Sequence, residues 1–402
     1  MNLSIPLGIY ATNVPTSGTS KPDVSDMLEV WAHKDTPFLN RISWGADTSV
    51  ANVITWLTEH LGWRYVETSA AIGTATVSML VASGVGGLSR AEQMKQFRPG
   101  TLCYAQGADG SESGDNTWFY ITTVSTTTLE LTFLACCTAS IAASAKVYIV
   151  GSFANEGSVP DRDTSRKRSL LSNNLTILRY DIQMTGSQAK TDMYAVPDEL
   201  QHQTKMRLLE MQLDRERAVL LSRGLARSAT IPGFMDGVLN LFVGPGSLNT
   251  SWAAGVAGGW IDDTTTALGE TAFNNMVATC FENGGRPNCV VGGVSQIRKF
   301  TSWATDRIRS TPDTRVGGQY ITQYMSDVGI TLDLVPMMKW PTDLLFILDD
   351  TKMTLRAKTG RKLIIEKLGK VGDYDMWQLI SEFSLEHHGF AWGQHGMFSA
   401  LA

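Results

Sequence analysis

The sequence is short of the residues around which most enzymes and metal proteins are built. Among 402 residues there are six histidines and five cysteines, and no two cysteines (Cys103, Cys136, Cys137, Cys280, Cys289) form a CxxC pair. An odd, unpatterned set argues against a secreted disulfide scaffold and for folding in a reducing cytoplasm. Phosphate-binding loops are missing as well. Lys370 follows Gly369, but Val371 comes next where a P-loop needs Ser or Thr. No GxSxG elbow or HExxH helix occurs. Gly84–Val85–Gly86–Gly87 lacks the later glycine of a dinucleotide fingerprint and reads as a loop.

Long apolar runs are equally scarce. The most apolar stretch, Leu129 to Val150, is broken by Thr132, Thr138, Ser140, Ser144 and Lys146, whereas a spanning helix needs roughly 20 apolar residues. The opening MNLSIPLGIY has neither the basic start nor the apolar length of a signal peptide. The formal net charge of -5 gives no general surface for polyanions. What remains is ordinary globular material, 43% hydrophobic and 18% charged, enough for a sizeable core.

Two groups of titratable residues invite a chemical reading. His387, His388 and His395 stand near Glu386, but neighbours on a strand point to opposite faces, so polar contacts are expected there instead of a metal. The acidic pairs Asp262–Asp263 and Asp349–Asp350 lie beside turn-like sequence and read as turn and cap residues. Accordingly no catalytic, cofactor or metal residue is assigned. Two basic clusters are the remaining candidates: Arg162, Arg166, Lys167 and Arg168, and then Arg298, Arg307, Arg309 and Arg315 with Lys299. They lack the interleaved aromatics of a nucleic-acid site and are expected to form ion pairs between subunits.

Along the chain, residues 1–45 read as an arm with one short helix, Val24 to His33. The segments 46–97 and 157–196 read as an extended loop with flanking strands. Between them, 98–156 carries strand signals at Trp118–Val124, Leu129–Leu134 and Lys146–Val150, spaced as in a small inserted barrel. A long helix is expected within 197–230, with Pro197 at its first position, a stripe of Leu200, Met206, Leu209, Leu213 and Leu220 broken by Glu216, and a stop at Arg223–Gly224. From 231 to 340 the pattern is α/β, with helices at Thr271–Asn283 and from Ser295 to Trp303, and strands at Asn288–Val291 and Ile330–Val335. Strands resume in 341–402, from Leu344–Leu348 to a long last one. There Trp377, Leu379, Phe383 and Leu385 alternate with Gln378, Glu382, Ser384 and Glu386.

This order of parts resembles the HK97-type capsid fold of tailed bacteriophages: arm, extended loop, spine helix in a peripheral domain, α/β axial domain and closing strand. Particular stretches resemble phage major head proteins: Phe153–Ser158, Glu216–Gly224, Ile231–Gly237, Gly284–Val291, Leu344–Asp349, and Leu363 to Gly393 with Glu366–Gly369 and Asp373–Trp377. The resemblance implies an α+β capsid subunit without enzymatic activity. It would assemble with itself into pentamers and hexamers of an icosahedral virion shell, in the host cytoplasm and away from membranes. Portal, scaffolding and cement proteins are the implied partners, and packaged DNA is touched only non-specifically. An encapsulin-like compartment, or a hydrolase with an embedded β-barrel, is the alternative.

Overall fold

The computed structural model describes residues 36–45, 51–59, 64–70, 78–80, 94, 96–106, 117–125, 128, 130–134, 141, 143, 145–154, 156–157, 168–191, 198–243, 260–303, 308–310, 321–370 and 372–402. The helix expected at Val24–His33 and the glycine loop at 84–87 lie outside them.

The long strand Tyr374–His387 organises the architecture. It pairs antiparallel with Thr176–Thr185 over ten residues, from Thr176↔Phe383 to Thr185↔Tyr374. On its other side it pairs with Met353–Ala357 and with Ile364–Lys367. Ser43–Trp44 then adds to Met353–Ala357 in parallel, completing five strands.

Across this sheet lies α1 (Glu199–Leu221). Asp198 is its N-cap, accepting the N–H of Gln201 at 3.2 Å, and Ser222 is its C-cap. The helix therefore starts at Glu199, two residues past the expected Pro197, and ends at Leu221, two residues before Arg223. Its 23 residues span about 34 Å. The buried face is Met211, Glu216, Val219 and Leu220. Of the expected stripe only Leu220 is fully buried, because the C-terminal third seats in the main core. The N-terminal part rests more lightly, through Leu200 and Leu208 beside Ile182 and Leu379.

Two structural reasons fix how the chain leaves α1. A Cβ on Gly237 would stand 2.7 Å from the Ser222 nitrogen and 2.8 Å from the Ala218 oxygen. One on Gly224 would strike the Asp236 carboxylate. Only glycine lets the following segment fold back on the helix end, where α2 (Val238–Val243) begins.

A second sheet of seven strands carries α3 (Glu270–Glu282) and α4 (Val294–Ser302). Its central strand Cys289–Gly293 runs parallel to Thr331–Met337 and antiparallel to Leu345–Leu348. Every residue of Cys289–Gly293 is buried, as a strand covered on both faces requires. α4 is capped by Gly293, two residues ahead of Ser295, the expected cap. Phe273, Phe300, Trp303 and Tyr324 form an aromatic cluster beneath the helices, with ring centroids 4.3 to 5.7 Å apart.

The segment expected as an inserted barrel is a six-stranded sheet with its own core, including Phe97, Phe119, Phe133 and Val147. It reaches beyond 98–156, since Tyr65–Glu67 and Ser78–Leu80 are its two outer strands. Connecting it to the rest is a two-stranded ribbon of Val53–Thr58 and Ser169–Asn174.

The end of the expected arm is not peripheral. Phe38 and Ile42 are 0% and 4% exposed and belong to the main core with Val219, Phe383 and Leu385. Residues 36–44 are thus part of the folded body, because they present apolar side chains at a spacing the core can accept.

Candidate subunit interface

The arm's end, the ribbon, the spine helix and the long strand meet at one junction held by polar side chains. Glu216, buried on α1, accepts the backbone N–H of Phe38 at 2.8 Å and of Leu39 at 3.1 Å. Burial pushes its carboxyl above the usual range, against the opposing pull of those two N–H groups. Asn173, at the base of the ribbon, donates to the Leu385 carbonyl at 2.8 Å and the Asp236 carbonyl at 3.1 Å, while its own oxygen accepts from the Asp236 N–H at 2.8 Å. All five of these hydrogen bonds run to backbone groups, so the junction has little freedom to slide.

Around it the long strand's polar face is buried instead of solvated. The Glu382 side chain is 2% exposed and faces three cations: Arg361 at 2.8 Å, Lys358 at 3.6 Å and Arg227 at 3.6 Å. Glu386 pairs with Arg356 at 2.5 Å. Arg41, from the arm's end, bridges Asp350 at 2.6 Å and Asp333 at 2.8 Å, tying that segment to the seven-stranded sheet. The Arg215 guanidinium lies over the Trp44 and Phe383 rings, 5.2 and 5.3 Å from their centroids, and donates to Ser381. These residues were not singled out from sequence. The readable signal was the alternation of Glu382, Ser384 and Glu386 opposite Arg356 and Lys358.

The histidines belong to the same junction. His395 is fully buried; its Nδ1 accepts the Asp349 N–H at 3.2 Å and its Nε2 donates to the His388 carbonyl at 2.9 Å. That pattern is met only by the neutral ring, and burial drives its pKa down to about 4. His387 is pushed down to about 3 by burial, and its ring meets Trp56 of the ribbon edge-on at 4.9 Å. Among the described residues no group of three or more His, Cys, Asp or Glu is placed to hold a metal ion.

Both acidic pairs serve turns and pairing. Asp262 accepts from the N–H and hydroxyl groups of Thr264 and Thr265. Asp349 caps the turn at Thr351, and Asp350 takes Arg41 and Asn288. Of the basic candidates, Arg162, Arg166, Lys167, Arg307 and Arg315 lie outside the described residues. Arg168 is exposed and stands 3.4 Å from Glu59 across the ribbon, within one chain. Arg298 is exposed on α4, and Arg309 sits on the outermost strand of the seven-stranded sheet.

Apolar side chains also project outward from the ribbon. Leu57 and Leu170 are register partners and are 58% and 66% exposed, with Val53 further down the same strand. Paired exposed leucines of this kind suit a contact face. No helix among the described residues is long and apolar enough to cross a membrane.

Together these features describe a mixed α+β fold with a polar junction and a two-stranded ribbon that leaves Leu57 and Leu170 exposed. The sequence matches the family model of the SU10 major capsid protein over residues 10–397, and the chain belongs to that family. Among solved structures, the capsid of a native GTA particle is similar at 10% identity, covering 98% of this chain and 99% of that one, with a TM-score of 0.49. The capsid of the myovirus XM1 is similar at 9% identity over 94% and 97%, with a TM-score of 0.47. The SrpI encapsulin of Synechococcus elongatus PCC 7942 is similar at 14% identity over 58% and 76%, with a TM-score of 0.39. No curated protein matches in sequence. Major capsid protein of a virion, self-associating into a shell, is therefore the function that the family assigns.

Proposed function

We propose that this chain assembles with itself into the hexamers and pentamers of an icosahedral phage head that encloses the genome. The family match over nearly the whole chain carries the reading. The parts fall into the HK97-type division: residues around α1 and the long strand as the peripheral domain, the seven-stranded sheet with α3 and α4 as the axial domain, and the ribbon as the extended loop. The ribbon lays Leu57 and Leu170 on a neighbouring subunit. The basic residues Arg162, Arg166, Lys167, Arg168, Arg298, Arg307, Arg309 and Arg315 supply ion pairs between subunits, which select partners more than they add affinity. The chain does no covalent chemistry of its own. Scaffolding, portal and cement proteins are its further partners, assembly takes place in the host cytoplasm, and DNA is touched only through non-specific contacts.

The direct test is negative-stain imaging of the purified protein. Closed, uniform shells support the reading; a sharp monomer peak at every concentration and salt condition overturns it. Expression beside its neighbouring genes then distinguishes shells filled with DNA from shells filled with a cargo protein.

A further inference from the structure

Four aromatic side chains of the six-stranded sheet fall in a single cross-strand row. Tyr65 is the register partner of Tyr148, Tyr148 of Tyr104, and Tyr104 of Trp118, on four successive neighbouring strands. Alternation places the row on the outer face, since the adjoining residues Val66, Val147, Cys103 and Phe119 are the ones packed in the sheet's core. The ring centroids lie 5.8 Å apart for Tyr65 and Tyr148, and 5.0 Å apart for Tyr104 and Trp118. Trp118 is 50% exposed. Three inter-strand steps give the row a length of about 14 Å.

The chemistry of the row narrows what it receives. Each ring carries a polar tip, a phenol or an indole N–H, so the face offers flat apolar area and hydrogen bonds together. Among the described residues cations are sparse: Lys146 lies over Tyr65 at 5.7 Å and is the register partner of Glu67, which offsets it. Among the described residues the row offers a polyanion such as a nucleic acid no basic track. Protein anchors favour pockets that enclose a side chain, whereas this is an open cross-strand row whose rings form two contacting pairs. An uncharged polysaccharide matches it, because each pyranose unit has one face of C–H groups that stacks on a ring and a rim of hydroxyls.

We propose that the Tyr65–Tyr148–Tyr104–Trp118 row is a platform for an uncharged polysaccharide, with sugar rings stacked on Trp118, Tyr104 and Tyr148. A capsid subunit carrying it would hold glycan-coated surfaces through many weak sites acting at once.

The test is native electrophoresis of the full-length assembled protein through gels containing mannan, dextran, xylan or a β-glucan, with alginate as the anionic probe. Retardation by at least one neutral polymer and not by alginate is expected. Trp118→Ala and Tyr148→Ala should each weaken it about tenfold with particles unchanged in electron micrographs, and Trp118→Tyr should restore most of it. The proposal fails if no neutral polymer retards the protein, or if alginate alone does. It also fails if both alanine variants bind as the parent does, or if they block particle assembly while their subunits stay folded, which would make the row a subunit contact.

Discussion

Glu216 on α1 accepts the backbone N–H of Phe38, 2.8 Å away in space and 178 residues away in sequence. This bond closes the arm's end against the helix, since the same carboxylate also takes the Leu39 N–H. Glu216→Ala leaves two donors buried without an acceptor and should cost about 3 kcal/mol of subunit stability. Glu216→Gln keeps an amide oxygen in the same place and should recover more than half. Urea midpoints of the two variants check this, and equal losses would show that the N–H contacts contribute little.

Glu382 is the common partner of Arg361, Lys358 and Arg227. Removing the shared anion strands three cations, whereas removing one cation leaves two. Glu382→Leu should therefore destabilise by about 4 kcal/mol and Arg361→Ala, at a half-exposed position, by about 1 kcal/mol. A thermal melt of both proteins separates the cases; a larger loss for Arg361→Ala would contradict the shared-anion geometry.

The family character and the element order were legible in sequence because they rest on local pattern. Period-two alternation marked the strands around Trp118–Val124 and Lys146–Val150, and glycines marked the helix ends. The polar junction was not legible, because its partners are far apart in the chain. Nothing near Glu216 announces Phe38, and the same residue reads as a flaw in an apolar stripe until the arm is folded onto it. The alternation of Glu382, Ser384 and Glu386 does not reveal that this face is covered, for the same reason: the side chains that cover it are those of Arg227, Lys358 and Arg361. Nor was the reach of the six-stranded sheet visible, since Tyr65–Glu67 and Ser78–Leu80 are three-residue strands too short to carry a period.

Acid should loosen the junction through its histidines. His395 titrates near 6.5 when unfolded and at about 4 when folded, so the unfolded chain binds the proton more readily in between. A depressed folded pKa gives stability that is full above the unfolded value and is lost as pH falls toward the folded one. For His395 the loss between pH 7 and pH 4 amounts to about 3 kcal/mol, and His387, down at about 3, adds to the slope. Urea unfolding at intervals from pH 8 to pH 4.5 should show a plateau and then a decline. His395→Asn, whatever it costs at neutral pH, should make that decline shallower; an unchanged slope would rule the histidine out as its source.

Leu57 and Leu170 are exposed register partners on the ribbon. Aspartate at either place should leave subunit stability within about 0.5 kcal/mol of the parent, as for other surface changes. If the ribbon lies on a neighbour, the same substitution buries a charge in an apolar contact and should stop shells from closing. Electron micrographs and analytical ultracentrifugation read the two effects apart. Normal shells from Leu57→Asp would remove the ribbon from the subunit contact.

Truncation should respond to what residues 36–44 contribute to the folded body. Residues 36–44 contribute Phe38 and Ile42 to the main core, add Ser43–Trp44 to the five-stranded sheet, and bring Arg41 to Asp333 and Asp350. Burying a phenylalanine and an isoleucine stabilises by about 4 kcal/mol together, and Glu216 would be left buried with neither of its donors. Deleting residues 1–45 should therefore yield aggregated or unfolded protein, a failure of folding that says nothing about assembly. Deleting residues 1–35 keeps all of these contacts and should give a subunit that still melts cooperatively. Any loss of closed shells in that shorter deletion is then attributable to the arm's contacts with other subunits. Closed shells from it would show that assembly rests on the ribbon and the folded domains, without the first 35 residues.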